Sequence, residues 1–287
     1  MSEPLILITG ASGYLGRHLV SLARERARVG AVLHRSLSIG RQDAFVLDIA
    51  HNNAVRELVE SLQPSAIVHT AAVNPGQGTE EEMFRTNADG ARNIAEAAVA
   101  VGARLIAVST DIVHDGTAGP YADDAPATPI NAYGRSKAAG EEAILDVDPS
   151  AVVVRTSLMY GFDEMDRGTA TFAERLARGE MLSLFSDVIR NPIHVDVLAD
   201  ALLRLTGIEC VGLLNVAGVQ ALSREDFGRE MLRYWGVEGD GLIRGVRAAD
   251  VSDSIPIDVR LDSSQAEGLL DMTFPGVNEA IATVTPG

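Results

Sequence analysis

The fold is decided by Leu5-Ile6-Leu7-Ile8-Thr9-Gly10-Ala11-Ser12-Gly13-Tyr14-Leu15-Gly16. The uninterrupted apolar run at 5–8 is typical of a strand that is buried on both faces of a parallel sheet. Glycines then follow with Gly-x2-Gly-x2-Gly spacing, and a helical pattern of apolar residues continues to about Arg28. A strand, a glycine-rich turn and a helix in this order are the context that a dinucleotide-binding fingerprint requires.

Each glycine has a predicted role in such a fingerprint. Gly10 permits the tight turn, Gly13 lets the backbone approach a pyrophosphate, and Gly16 lets the helix pack closely. The N-terminus of the helix would then face the phosphates. In such a fingerprint, the residues that follow the second strand bind the adenosine ribose of the cofactor.

The residues after the second predicted strand, Ala31-Val32-Leu33, favour one form of the cofactor. An acid at this point bonds the 2′-hydroxyl of NAD, whereas an arginine accommodates the 2′-phosphate of NADP. Because the chain has His34-Arg35-Ser36 here and no acid, the sequence favours NADP, with NAD as the alternative. Asp48, which follows the third strand, can accept a hydrogen bond from the adenine amine or cap the next helix.

Apolar strands continue to alternate with helical patterns along the chain. Strands are predicted at 44–47, 66–69, 105–108, 152–154 and 211–216, and helices at 53–62, 79–101, 171–178 and 197–205. This alternation predicts an α/β fold with a doubly wound parallel sheet of the Rossmann type. We expect a dinucleotide-binding domain at 1–158 plus 189–216, and a smaller C-terminal substrate-binding lobe at 159–188 plus 217–287.

Asn131-Ala132-Tyr133-Gly134-Arg135-Ser136-Lys137 contains the only lysine of the chain, since 23 of its 24 basic residues are arginines. Tyr133 and Lys137 are four residues apart and would share one face of a helix. A nearby ammonium lowers the pKa of a phenol from its usual value of ~10. The pair therefore predicts a general acid/base that works near neutral pH.

Composition excludes several kinds of partner. The net charge of −16 argues against nucleic acid and against anionic membrane surfaces, both of which select basic patches. A single cysteine, Cys210, fits a reducing cytoplasm, and the N-terminal residues do not resemble a signal peptide. These two features predict a cytoplasmic protein. The six histidines lack metal-ligand spacing, so we expect no metal site.

With these motifs in view, the chain resembles the extended short-chain dehydrogenases/reductases over nearly its whole length. Thr9-Gly10-x2-Gly13-x2-Gly16 matches the cofactor loop of that family, and Tyr133-x3-Lys137 matches its catalytic pair. Within the family, the resemblance is closest to the dTDP-4-dehydrorhamnose reductase group. The segments that carry this closer resemblance are Ser109–Gly116, Tyr133–Glu141, Arg155–Ser157 and Arg260–Asp262, whereas Ile193–Asp196 resembles a segment before a late helix in the wider family.

This resemblance implies a NAD(P)-dependent reductase that acts on a carbonyl, with a nucleotide-linked 4-keto sugar as its substrate. Thr110 would bond the carbonyl, Tyr133 would protonate its oxygen, and Lys137 would hold the nicotinamide ribose and bias the Tyr133 proton. Leu158 and Asp111 would join Thr110 and Tyr133 around the substrate, and a homodimer is a family expectation. The residues implied in cofactor binding are Gly10, Ser12, Gly13, Tyr14, Leu15, Gly16, His34, Arg35, Asp48, Ile49, Thr70, Ala71, Ala72, Ser109, Tyr133 and Lys137.

The chain departs from the pattern of this group at three positions. Ile112 and His114 replace a tyrosine and a phenylalanine, and Leu158 replaces the tryptophan that packs against the sugar. These changes leave open which sugar is bound, and whether the substrate is a sugar at all.

Two other functions remain open on the residues alone. A sugar-nucleotide epimerase or dehydratase is one, although dehydratases of the family resemble Thr-Asp-Glu where this chain has Thr110-Asp111-Ile112. The other is a non-catalytic NADP-binding regulatory subunit, as in a partner of methionine adenosyltransferase. The lone lysine, kept in register with Tyr133 and Thr110, argues against this second alternative.

Overall fold

The structure is a computed structural model that describes residues 4–34 and 43–284. The predicted parallel sheet is confirmed: strands run side by side in the order β11-β6-β5-β4-β1-β2-β3, and every pairing is parallel. The strands in chain order are β1 Leu5–Thr9, β2 Arg28–Leu33, β3 Ala44–Val46, β4 Ala66–His69, β5 Arg104–Val108, β6 Val152–Thr156, β7 Met159–Tyr160, β8 Leu182–Phe185, β9 Ile189–Arg190, β10 Ile193–His194, β11 Gly212–Val216, β12 Leu222–Ser223 and β13 Ile243–Val246.

Helices cover both faces of this sheet, as the doubly wound prediction requires. Leu19 and Leu202 belong to the core on one face, whereas Val55, Ile94 and Ile144 belong to the core on the other. The helices in chain order are α1 Tyr14–Ala23, α2 Asn52–Leu62, α3 Glu80–Phe84, α4 Gly90–Val101, α5 Ala132–Val147, α6 Arg167–Ala177, α7 Val195–Leu205, α8 Arg224–Tyr234, α9 Ser264–Leu270 and α10 Val277–Thr283.

Some predicted helix boundaries were wrong, and local capping explains part of the difference. Helix α1 ends at Ala23, and Arg28 already opens β2. Helix α6 begins at Arg167 instead of near residue 171, because the Asp166 carboxylate accepts hydrogen bonds from the Gly168 and Thr169 amides. The N-cap of α2 is His51, so Asp48 does not cap that helix.

The long helix predicted over 79–101 is divided in the structure. It begins with a capping box formed by Thr79 and Glu82, but a π-helical turn at Arg85–Asp89 separates α3 from α4. Within this turn, the Asn87 side chain bonds both the N–H and the C=O of Val73, at 2.8 and 3.0 Å, and reaches Ser136 Oγ at 3.0 Å. The π turn therefore ties the loop after β4 to α5.

The chain order places a topological switch point in the sheet. After β1 the chain winds outward through β2 and β3, and then returns to β4 on the other side of β1. Ligands of open α/β sheets bind outside the carboxyl ends of the strands at such a point. The segments that follow β1, β4, β5 and β6 therefore meet at one edge of the sheet.

Smaller elements lie outside the seven-stranded sheet. Parallel pairs join β7 to β10 and β8 to β13, and an antiparallel pair joins β9 to β12. Tyr160, Phe227, Met231 and Val277 form a separate apolar cluster, whereas Phe274 belongs to the main core. The division of the chain into two domains at the stated boundaries stays a prediction. In the described ranges, no helix is both long and apolar enough to cross a membrane.

We expect Gly140→Ala to destabilise the protein, because α5 is seated backbone to backbone on the π turn. A Cβ at position 140 would lie 2.2 Å from the Asn87 carbonyl oxygen, so the helix would have to move. Overpacking of this kind costs about 1–3 kcal/mol of the free energy of unfolding, which urea unfolding measures.

The matched control is Gly268→Ala, at an exposed position of α9 where an added Cβ would meet nothing within 4 Å. This variant should be neutral or more stable, since alanine is the better helix former. Equal stability of the two variants would contradict the close seating of α5.

Candidate active site

The glycine-rich loop joins β1 to α1 with the backbone packed as predicted. Gly10 has a φ of +71°, and a Cβ there would lie 2.7 Å from the Ala71 nitrogen. A Cβ at Gly16 would lie 2.1 Å from the Gly10 carbonyl oxygen. Substitution at either position would push the loop away from the helix or from the segment after β4. Gly13, in contrast, is exposed and forms the N-cap of α1.

The N-terminus of α1 is suited to an anion. The first N–H groups of a helix have no partner within the helix, and the helix dipole adds positive potential there. The first turn of α1 carries no acidic residue that would cancel this potential. The Leu15 side chain is buried in the core, and the Tyr14 hydroxyl points to the Glu164 carbonyl at 3.4 Å. Ser12 is half-buried, and its carbonyl accepts from Arg17.

Polar side chains link the ends of β1 and β4. Thr9 Oγ1 and His69 Nδ1 are 2.7 Å apart and buried, and Thr70 Oγ1 donates to the Thr9 carbonyl at 2.7 Å. Burial, helped by the charge of Lys137, lowers the pKa of His69 to about 3, so this imidazole is neutral at physiological pH. The half-buried Ala71 and Ala72 continue from here along the edge of the sheet.

The residues predicted for the adenosine end are separated in the structure. His34 is exposed at the end of β2, and Arg35 lies outside the described residues. Asp48 is half-buried: burial raises the pKa of its carboxyl, but hydrogen bonds from the Ala50 amide and Arg85 outweigh this and keep it below its usual range. The Ile49 side chain lies in the core, so only its backbone is available to a ligand.

The segment after β5 carries the buried carboxylate of Asp111, whose ion-pair partner could not be predicted from the sequence. Asp111 is fully buried and forms an ion pair with Arg190 of β9, while Ser157 Oγ donates to it at 2.7 Å. Burial raises the pKa of the Asp111 carboxyl, and the contacts with Arg190 and Ser157 act in the opposite direction. Thr110 Oγ1 lies 3.2 Å from Asp111 and is also buried.

Tyr133 and Lys137 lie in the N-terminal half of α5, whose N-cap Asn131 accepts from the Gly134 amide. The Lys137 ammonium is buried and donates to the Val108 carbonyl at the end of β5, at 2.8 Å. Burial lowers the pKa of Lys137 to about 8, and the Glu141 carboxylate opposes this shift. The charge of Lys137 also acts on His69, which places the ammonium near the ends of β1 and β4.

The predicted lowering of the Tyr133 pKa was wrong, because effects other than the charge of Lys137 dominate. Instead of being lowered, the pKa of Tyr133 is raised to about 12, first by burial and then by the negative charge of Asp111. Arg190 and a hydrogen bond with Thr110 act in the opposite direction without reversing the shift. Tyr133 is therefore protonated at neutral pH and faces Thr110, Asp111 and Arg190.

Ser109 does not turn its hydroxyl toward the edge where the predicted ligand would lie. Ser109 Oγ donates to Glu141 Oε1 at 2.5 Å, and the same carboxylate accepts from Arg155 Nη2 at 2.8 Å. All three side chains are buried. Any contact between Ser109 and a cofactor would therefore involve its backbone.

The predicted substrate side is formed by the outer elements. Leu158 is half-buried and packs against the cluster of Tyr160 and Phe227. Arg224, the first residue of α8, donates its backbone N–H to the Val188 carbonyl. Its guanidinium has no side-chain hydrogen bond or ion pair with any residue in 4–34 or 43–284. Burial, followed by the charge of Arg190, lowers the pKa of Arg224 to about 10, so it remains charged.

Sequence reasoning missed four residues of this region: His69, Glu141, Arg190 and Arg224. His69 ends a predicted strand, and that position was the signal that could have identified it. Glu141 lies four residues after Lys137, which predicts a shared helix face but gives no hint of Arg155 as its partner. The pairing of Arg190 with Asp111 joins residues 79 positions apart and leaves no local pattern.

Comparison with known proteins relates the whole chain to one family. The RmlD substrate binding domain matches residues 4–285. A dTDP-4-keto-6-deoxy-D-glucose reductase from Streptomyces niveus is 34% identical over 84% of this chain and 81% of its own. The beta subunit of methionine adenosyltransferase 2 from Xenopus laevis is also 34% identical, over 70% of this chain and 61% of its own.

A solved structure extends this similarity to the fold. The dTDP-4-dehydrorhamnose reductase from Bacillus anthracis, in complex with NADP, has a TM-score of 0.83 and 26% identity, and the match covers 98% of both chains. The match to the family and the similarity of the fold lead to the same assignment. The chain belongs to the RmlD substrate binding domain family, within the extended short-chain dehydrogenases/reductases.

Proposed function

We propose that this protein is a NAD(P)-dependent reductase that acts on the carbonyl of a nucleotide-linked 4-keto sugar. The observation that carries the proposal is that Tyr133 hydrogen-bonds Thr110 just after β5, while Lys137 of the same helix donates to the Val108 carbonyl at the end of β5. Relatives named as reductases of dTDP-linked keto sugars support the substrate class.

The cofactor is proposed to lie across the carboxyl ends of β1 and β4. When bound, it supplies the hydride that reduces the carbonyl carbon. The N–H groups at the start of α1 would hold its pyrophosphate, with backbone from Gly10 to Gly16 close to it. Asp48 and the Ile49 backbone would serve the adenine, His34 and Arg35 the ribose, and 70–72 with Ser109 the nicotinamide side.

The protonation states of the site suit reduction. A phenol with a pKa of about 12 holds its proton at neutral pH, so Tyr133 can donate it to the oxygen of the substrate carbonyl. Thr110 would orient that oxygen by a hydrogen bond. Lys137, with a pKa of about 8, is mostly charged at pH 7. Its ammonium would hold the nicotinamide ribose and stabilise the phenolate that forms as the proton leaves.

Arg224 supports a substrate with an anionic group. Its guanidinium is charged, partly accessible and close enough to Asp111 and Arg190 for their charges to act on it. Arginine binds phosphate through paired hydrogen bonds, and the diphosphate of a nucleotide sugar offers such an anion away from the reacting carbonyl. We propose that Leu158 lines the sugar between these two ends, within a substrate-binding lobe formed by 159–188 and 217–287.

Two alternative functions are distinguished from the reductase by one assay. An epimerase would use the same proton-transfer site but would retain its cofactor without net oxidation. The similarity to a methionine adenosyltransferase subunit favours a regulatory protein, whereas the buried, charged Lys137 beside Tyr133 favours catalysis. Oxidation of NADPH that depends on a dTDP-4-keto sugar separates the three functions. The homodimer and the cytoplasmic location stay predictions.

Tyr133→Phe should lower kcat by about 10²–10⁴-fold, which is the usual contribution of a positioned general acid. The Kd for NADPH should stay nearly unchanged, because the phenol donates its proton to the substrate. Steady-state kinetics with a dTDP-4-keto sugar and fluorescence titration with NADPH measure the two quantities. Tyr234→Phe is the control, since that hydroxyl bonds the Phe162 carbonyl at 3.5 Å and none of Thr110, Tyr133 or Lys137. Normal turnover in Tyr133→Phe would exclude the proposed role.

Arg224→Leu should raise KM for the nucleotide sugar by about 10- to 100-fold, because a hydrogen bond to a charged group contributes about 1.5–3 kcal/mol. The value of kcat should change much less, since the reacting carbonyl lies at Tyr133. Arg233→Leu removes an exposed guanidinium from the same helix and should leave KM unchanged. If both variants bind the substrate equally well, Arg224 does not contact it.

The wild-type protein should bind NADPH more tightly than NADH, because Arg35 can pair with the 2′-phosphate. Arg35→Leu should remove most of this preference, by about tenfold or more, as expected for loss of a charge-assisted bond. Titration of the wild type and of Arg35→Leu, each with NADPH and with NADH, gives the four dissociation constants. Arg56→Leu, on the exposed side of α2, serves as the control. Tighter binding of NADH by the wild type would overturn the preference.

A further inference from the structure

Glu141 occupies the centre of a buried hydrogen-bond network that joins three elements behind the candidate site. Its carboxylate accepts from Ser109 Oγ of the β5 segment at 2.5 Å and from Arg155 Nε of β6 at 3.1 and 3.2 Å. Arg155 Nη1 in turn donates to the Ala125 carbonyl at 2.7 Å. Glu141 is 6% exposed and Arg155 is 1% exposed, so water does not screen these charges.

The network is connected to Lys137 in two ways. Lys137 and Glu141 lie one turn apart on the buried face of α5, where the carboxylate acts on the ammonium as a counter-charge. The second connection runs through the backbone: Lys137 donates to the Val108 carbonyl, and the next residue, Ser109, is held by Glu141. Thr110 is the next residue along the chain. Glu141 therefore fixes the end of β5 that carries both Thr110 and the Val108 carbonyl, which accepts from Lys137.

We propose that Glu141 is a positioning residue that keeps the buried ammonium of Lys137 charged and holds the Ser109–Thr110 segment against it. This inference rests on the proposed function for its catalytic consequence, but its electrostatic part concerns the protein alone. Glu141 acts through Lys137 and Ser109, without contact to substrate or cofactor. Arg155 holds the carboxylate in place by donating to it from Nε and Nη2.

Four charged or titratable groups surround Lys137. Glu141 and Tyr133 lie on the same helix, His69 comes from β4, and Arg155 lies beyond Glu141 on β6. Tyr133 and His69 are both uncharged at neutral pH, because their pKa values are about 12 and about 3. Glu141 is therefore the group whose negative charge opposes the loss of the Lys137 proton.

The single lysine makes a direct test available. Protein labelled with ¹³C-lysine gives one side-chain signal, whose titration reports the pKa of Lys137 without any substrate. Glu141→Gln should move the midpoint to lower pH by about 1 pH unit, because the opposite charge is lost. Glu142→Gln removes the same charge from the exposed neighbour on α5 and should leave the midpoint in place.

Glu141→Gln leaves the buried Arg155 without its carboxylate and can reduce folding. The double variant Glu141→Gln with Arg155→Met removes both charges and keeps an apolar side chain in the space of the arginine. Its midpoint should also be lower than that of the wild type. A midpoint equal to the wild-type value in the double variant would overturn the inference, as would an equal shift in Glu142→Gln.

The pH dependence of kcat gives the second readout. The Lys137 pKa is lowered by burial, so the charged form is lost as pH rises through about 8. The alkaline limb of the profile should lie near this value in the wild type and about 1 pH unit lower in Glu141→Gln. The kcat of Glu141→Gln should recover toward pH 6. Glu141→Asp, which keeps the negative charge, should have a higher kcat than Glu141→Gln at all pH values. A uniform loss of kcat at every pH would show a merely structural role.

The two proposals fail in different ways. Absence of turnover with every carbonyl, combined with a lower titration midpoint in Glu141→Gln, would overturn the proposed function and keep the electrostatic role. Normal turnover with an unchanged midpoint would overturn the positioning role and keep the reductase.

Discussion

The ammonium of Lys137 is buried and yet keeps its proton at neutral pH, and the groups around it explain how both are possible. Burial alone would favour loss of the proton, since a desolvated charge is costly in a medium of low dielectric. The Val108 carbonyl accepts one of its hydrogen bonds, and Glu141 supplies a negative charge one turn away. A guanidinium is larger and carries five donors in a fixed planar fork, whereas the ammonium is a compact point charge with rotatable donors. Those differences give a physical reason for one lysine among 23 arginines.

Close contact between backbones gives this arrangement its precision. Gly140 lets α5 approach the Asn87 carbonyl, and Gly16 lets α1 approach the Gly10 carbonyl. Both contacts exclude a side chain and so fix the two helices relative to the carboxyl edge of the sheet. The π turn at Arg85–Asp89 turns the Asn87 side chain to both Val73 and Ser136. Tyr133 on α5 and the glycine-rich loop before α1 are therefore both held in fixed positions by these backbone contacts.

The strands and the glycine loop could be predicted because their signals are local: apolar runs, glycine spacing and capping residues. The pairings of Asp111 with Arg190 and of Glu141 with Arg155 could not, since each joins separate elements through the fold. The error in the pKa of Tyr133 has the same origin. Helical spacing predicted Lys137 as its neighbour, but burial and the charge of Asp111 act across the fold and raise the pKa instead. The π turn was also missed, because its residues follow an ordinary helical pattern.

The three departures from the reductase group differ in their consequence for the substrate. His114 is fully buried and stacks on Tyr121, with ring centroids 3.8 Å apart, so it replaces one aromatic packing partner with another. Ile112 lies on the 3₁₀ turn after Thr110, and its amide donates to Thr110 Oγ1 at 3.3 Å, a backbone contact that any side chain allows. Leu158 differs, because it is half-buried beside the same outer elements that carry Arg224. A leucine in place of a tryptophan leaves more room and no aromatic face for a sugar. We therefore expect the substrate to differ from that of the reductase group in its sugar, and to keep the anionic group that Arg224 is proposed to bind.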